Sequence, residues 1–199
     1  MNFDSEAVEA AVAALLDAVG EDTTREGLRG TPGRVARAWK ELLEGYTLDP
    51  SAVLHTSAGE QGFGDLEGYD QMVVLTGFPI HSTCEHHLLP FVGLVDIGYL
   101  PGPSGQVVGL SKLGRLADVF ARRLQVQERL TQQIAQALLA HLGARGVGVR
   151  IRATHQCMSC RGVRKAGTMS TEALLGDFRE HAVRAEFWHL CDPLPRSPA

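Results

Sequence analysis

The first fifth of the chain repeats apolar residues at helical spacing. Val8, Val12, Leu15, Leu16 and Val19 share one stripe of a helix over residues 5–19, and Gly20 ends it. A second amphipathic helix opens at Thr31-Pro32, with Thr31 as N-cap and Pro32 in the first turn. It closes at Gly45 after Leu42 and Leu43. Residues 1–48 therefore read as a helical N-terminal segment. The stretch 50–68 is rich in Gly, Ser and Asp and reads as a loop.

From Gln71 the pattern changes to short apolar runs bounded by Gly and Pro. Met72–Phe78, Phe91–Leu100 and Val107–Leu110 read as strands, the last two joined by a turn over 101–105. Ser111 can cap a helix through Leu113, Leu116 and Phe120. A further helix, Gln127 to Leu142, carries Leu130, Ile134, Leu138 and Leu139 on one face and stops at Gly143. Val147–Thr154 alternates Val147, Val149, Ile151 and Ala153 with Gly148, Arg150, Arg152 and Thr154, as a strand with one polar face does. Residues 177–190 read as a last helix, followed by a Pro-containing tail. Helices first, then strands interleaved with helices, give an α+β domain over 49–199 with an antiparallel sheet.

Composition narrows the setting. A chain of 199 residues with 44% hydrophobic and 21% charged residues suits one good-sized folded domain. The formal net charge of −4 gives no global basic field for a nucleic acid, so any phosphate needs a local Lys/Arg cluster. No apolar run approaches the roughly 18 residues of a membrane span, and the acidic start MNFDSEAVEA is unlike a signal peptide. A cytoplasmic protein without a membrane partner is expected. In that compartment four cysteines point to metal or catalytic use before disulfides.

Cys and His gather in two short windows, His81, Cys84, His86 and His87 in one and His155, Cys157 and Cys160 in the other. Cys84 and His87, three apart, can be presented by one turn to one ion. His155 and Cys157, two apart at the end of a strand, can face one pocket. Thiolate with imidazole is the ligand mix zinc prefers. Spacing leaves two arrangements open: three ligands with a free position for water, or a closed Cys₃His site that also uses Cys160. The surplus histidines His86 and His155 favour the open arrangement, since imidazole is the natural proton carrier beside an activated water. For Cys191 the ordinary reading is a buried small hydrophobe, and for His81 a structural role.

Cationic residues cluster at Ser111-Lys112-Leu113-Gly114-Arg115, at the start of a predicted helix, and at Arg161-Gly162-Val163-Arg164-Lys165, just past the second window. Both are expected near the metal, with Arg34 and Arg37 as possible additions. Glu128 at a helix start suits the dipole and could equally accept the N–H donors of a guanine edge.

The segments 83–101 (TCEHHLLPFVGLVDIGYLP), 107–135 and 153–163 (ATHQCMSCRGV), with 20–46 ahead of them, resemble GTP cyclohydrolase I of the zinc-dependent type, in order and in register over roughly residues 12–190. The chain departs from that pattern at Thr24, at Cys160 and over 166–171. The resemblance implies a tunnelling fold: an antiparallel sheet with helices on one side, closed into a barrel by oligomerisation as a decamer of two pentamers with sites at subunit interfaces. It implies Cys84, His87 and Cys157 as Zn²⁺ ligands and His86 and His155 as the acid–base pair. Glu128 and Gln127 would hold guanine, and Ser111, Lys112, Arg115 and Arg161, with Arg37, the triphosphate. The implied reaction is hydrolytic opening of the imidazole ring of GTP, release of formate and closure to dihydroneopterin triphosphate. The rival readings are a non-catalytic zinc-stabilised oligomeric binding protein and a related enzyme acting on a pterin or deazapurine.

Overall fold

A computed structural model of the chain describes residues 2–54, 68–103, 105 and 107–192. Helix α1 (Ser5–Ala18) is capped by Asp4, whose carboxylate accepts from the amide of Ala7 at 3.0 Å. Its apolar stripe is partly covered by α3, with Val8, Val12 and Leu16 half-buried, while Leu15 and Val19 remain exposed. The short α2 (Glu26–Arg29) leads into α3 (Thr31–Leu42). Gly30, not Thr31, occupies the N-cap of α3, and the Thr31 hydroxyl instead donates to the Gly27 carbonyl at 3.4 Å. A 3₁₀ turn, Glu44–Thr47, follows.

The expected loop at 50–68 is helical at its start. Asp49 accepts from the amide and the hydroxyl of Ser51, and with Pro50 in the first turn this nucleates α4 (Pro50–Leu54). The rest of that stretch, 55–67, lies outside the described residues, as does the tail 193–199.

Strand β1 (Val73–Cys84) runs further than its apolar core suggested, reaching the first Cys/His window. β2 (Pro90–Leu100) returns antiparallel to it. Val107–Leu110 is not a strand: the Val108 amide donates to the Tyr99 hydroxyl at 3.0 Å instead of joining a ladder, and Leu110 already belongs to α5 (Leu110–Ala121). Gly109 caps α5, so Ser111 lies inside the helix. The two-residue β3 (Leu124–Gln125) precedes α6 (Gln127–Leu142), which ends at a left-handed Gly143 as read from sequence. β4 (Gly146–His155), the single-turn α7 (Gln156–Ser159), β5 (Thr168–Gly176) and α8 (His181–Cys191) complete the chain. The helix expected over 177–190 is split: Asp177–Arg179 forms a 3₁₀ turn, and Glu180 is extended before α8.

The sheet order is β3-β1-β2-β4-β5, antiparallel except for the β1–β3 pair. One face packs on α5 and α6, where Ile80, Val95, Ile97, Val149 and Ile151 meet Leu113, Leu116, Leu130, Ile134 and Leu138. The polar face of β4 behaves as its alternation predicted. Arg150 and Arg152 both reach fully buried Asp96, at 3.2 and 3.1 Å, and Asp96 also accepts from the Gly77 amide. Buried charge is tolerable here because it is paired and hydrogen-bonded.

Farther along that face, Phe178 and Phe187 pack edge to face, with ring centroids 5.3 Å apart, beside Leu100 and Cys191. Gly98 and Gly148 leave the room for these rings: a Cβ on Gly148 would stand 2.4 Å from Phe178. Gly148→Ala is therefore expected to destabilise the fold by about 1–3 kcal/mol through overpacking. A denaturant midpoint equal to that of the parent would contradict this packing.

Candidate metal centre and active site

Two ends of the sheet's backbone meet at one place. β1 stops at Cys84, and a tight turn carries Glu85, His86 and His87, with the Leu88 amide donating to the Cys84 carbonyl at 2.8 Å. Leu88 takes φ 56, a conformation that non-glycine residues rarely adopt and that the turn imposes. β4 ends at His155, and α7 then presents Cys157. The ligand atoms of Cys84, His87 and Cys157 all lie within 4.8 Å of one another. Cys160, at the C-terminal cap of α7, is exposed and outside this group.

The chemistry of the donor set fits a soft or borderline divalent cation. Burial, and after it the neighbouring Cys84 thiol, holds the Cys157 thiol above its ordinary range. A cation supplies the charge that lets two adjacent thiols ionise together. Arg161 links the two arms: its Nη1 lies 3.4 Å from His87 Nε2 and 3.3 Å from the Cys157 carbonyl oxygen, to which it donates.

His155 is the best-held side chain of the site. Its ring stacks on Phe91 with centroids 4.6 Å apart and planes 10° from parallel, and its Nε2 lies 2.8 Å from Gln127 Oε1. Burial pushes its pKa down, against the opposing pull of the Glu128 carboxylate. His86 is exposed on the turn, next to His87. Glu128 is exposed in the first turn of α6.

The other residues expected at the site are placed as follows within one chain. Gln127 is 1% exposed, and its side-chain amide is hydrogen-bonded to protein groups. Ser111, Lys112 and Arg115 do not flank the metal donors of their own chain. The C-terminal end of α5 sits at the Cys84 end of β1, where the Ser82 hydroxyl donates to the Ala121 carbonyl at 2.7 Å. A 12-residue helix is about 18 Å long. The cationic start of α5 therefore lies at the opposite end of the sheet, by Tyr99. Arg37 projects from α3, which packs on α1, α2 and the 3₁₀ turn, none of which carries a site residue.

Two residues that sequence reasoning passed over hold the turn in place. Arg129 on α6 pairs with Glu85 and donates to Gln125 Oε1 and to the Leu124 carbonyl. The Arg129 hydrogen bond holds the Glu85 carboxyl below the usual range. The signal available was Glu85 inside the Cys/His window and Arg129 beside Glu128.

A sheet edge that gathers two thiols and an imidazole, with further histidines beside them, offers a donor set suited to a metal-dependent enzyme. A family model described as GTP cyclohydrolase I matches residues 8–192. The chain is 53% identical to GTP cyclohydrolase 1 of Streptomyces griseus, over 92% of this chain and 89% of that one. It is 53% identical to the Corynebacterium glutamicum protein of the same name over 94% and 93%, and 51% identical to that of Mycobacterium ulcerans over 92% and 89%. The chain belongs to the GTP cyclohydrolase I family. Among solved structures, that of the archaeosine synthase QueF-Like in the apo form overlaps 51% of this chain and 92% of its own at a TM-score of 0.38 and 15% identity.

Cys157→Ser is expected to abolish stoichiometric binding of a divalent metal, whereas Cys160→Ser retains it, as metal analysis of the purified proteins would read. Loss of metal from Cys160→Ser alone would overturn the three-donor assignment.

Proposed function

We propose that this chain is a GTP cyclohydrolase I working with Zn²⁺: it opens the imidazole ring of the guanine base of GTP, releases formate and forms 7,8-dihydroneopterin triphosphate. The convergence of Cys84, His87 and Cys157 next to His155, in a chain of this family, carries the reading. Two thiolates and one imidazole suit zinc and leave a coordination position for water. When bound, the ion would act as a Lewis acid that lowers the pKa of a bound water towards about 7.

The chain's own residues bind, orient and move protons. His155, clamped between Phe91 and Gln127, is the proton carrier for the purine ring nitrogens as C8 is attacked, and His86 is the second carrier. Glu128 accepts from the N–H donors of the guanine edge. Arg161 at the metal centre, with Ser111, Lys112 and Arg115, anchors the triphosphate. That anchoring keeps the opened intermediate in place for the sugar rearrangement and ring closure that follow.

The start of α5 lies one helix length from the metal donors, which supports a site whose two halves come from neighbouring subunits. The exposed Leu15 and Val19 of α1 support assembly in the same sense. We place the helical segment 1–48 at these contacts and the tunnelling-fold domain 49–199 around a barrel, in a decamer of two pentamers. Among the described residues no helix is long and apolar enough to cross a membrane, and the working compartment proposed is the cytoplasm.

Zinc-loaded protein incubated with GTP is expected to yield formate and, after oxidation, a fluorescent pterin; a preparation with full zinc and neither product would refute the activity. His155→Ala is expected to keep its zinc and lose ring opening, and unchanged turnover would remove His155 from the chemistry. Cys157→Ser and Arg115→Ala subunits, each inactive alone, are expected to regain activity when co-expressed. If the mixture stays inactive while each variant still assembles, the site does not span two chains.

A further inference from the structure

The side chain of Gln127 sits in a hydrogen-bond chain whose direction is fixed at every link. Its Nε2 lies 3.0 Å from the Ile151 carbonyl oxygen, 3.1 Å from the Met169 carbonyl oxygen and 3.0 Å from Thr171 Oγ1. A backbone carbonyl can only accept, so this end of the amide has to be the NH₂ group. The threonines agree. Thr131 Oγ1 lies 2.7 Å from the Gln127 carbonyl oxygen, which consumes its one proton. Thr171 Oγ1, 2.7 Å from Thr131 Oγ1, must therefore donate to it, leaving Thr171 lone pairs to accept from Gln127. With the NH₂ end settled, the other end of the amide is a carbonyl and can only accept. Its partner at 2.8 Å is His155 Nε2, which therefore carries hydrogen.

We propose that Gln127 is a positioning residue that holds His155 as the Nε2–H tautomer, leaving the ring's lone pair on Nδ1. Two restraints then fix the imidazole independently: the stack on Phe91 sets the plane of the ring, and Gln127 sets its rotation within that plane. The device matches the way imidazoles at metal sites are oriented, with one nitrogen committed to a protein acceptor so that the other is defined. It is assembled from three elements of the C-terminal half of the chain. α6 supplies Gln127 and Thr131, β4 supplies the Ile151 carbonyl and His155, and β5 supplies the Met169 carbonyl and Thr171. That Nδ1 is the atom facing the nucleotide's chemistry rests on the function proposed above; the tautomer does not.

The direct test is neutron diffraction from deuterium-exchanged crystals of the assembled, zinc-loaded protein, at a pH well above the ordinary imidazole value of about 6.5. Deuterium on Nε2 and none on Nδ1 is the expected result. Deuterium on Nδ1, alone or together with Nε2, overturns the proposal. A kinetic arm separates orientation from mere stability. Gln127→Met keeps the side chain's length but removes the acceptor, and is expected to lower kcat for GTP about ten- to a hundredfold with zinc content and KM little changed. A Gln127→Met protein that is folded, zinc-loaded and retains the parental kcat also overturns it. Should the parent protein fail to turn over GTP at all, the proposed activity falls while the neutron result still decides the tautomer.

Discussion

Both β1 and β4 are antiparallel to β2, so they run in the same direction and finish at the same edge of the sheet. The register Thr83↔Pro90 and Phe91↔His155 brings the end of each beside the start of β2. The parallel pairing of Cys84 with Gln125 draws the start of α6 to the same edge. Every feature of the site hangs on that alignment. Side chains alternate along a strand, so a one-residue slip of β4 would turn His155 off Phe91 and carry α7 with it. The apolar cores of these strands, locked against α5 and α6, are what forbid the slip.

On that edge the protein adds fixed polar partners. The turn after β1 is tied to α6 through Glu85 and Arg129. An exposed ion pair contributes little by itself, but Arg129 also donates to two acceptors beside β3, so the turn and the helix move as one piece. His155 is tied to the same helix through Gln127. α6 thus orients the turn carrying the first pair of metal donors and the histidine beside the third.

Much of this was legible in the sequence. The helical period gave α1, α3 and α6 closely, and the alternation at Val147–Thr154 gave both faces of β4, because these elements bury one stripe and expose the other. The Cys/His windows contained the three residues that the fold brings together, and the resemblance picked them out from the other cysteines and histidines. Other features were hidden for definable reasons. β5 has too few apolar residues at Thr168–Thr171 to declare itself, since Thr168 and Ser170 are exposed and the Thr171 hydroxyl serves a part-buried polar network. Val107–Leu110 looked like a strand because it is apolar, but the Val108 amide is taken by a side-chain hydroxyl and not by a neighbouring strand. Gln127 was expected at the guanine only through the resemblance, which carries no information on the burial of its side chain among protein partners. The distance between α5's cations and the metal donors is a property of helix direction, which spacing along a chain does not encode.

The length and direction of α5 have a thermodynamic corollary. On the proposed reading, a nucleotide whose base sits at one subunit's sheet edge and whose phosphates sit on the next subunit's helix would itself be part of the joint between them. By mass action such a ligand favours the associated state over free subunits. The oligomer and its substrate then reinforce one another, and a subunit diluted below its association range surrenders affinity before any bond within it has broken.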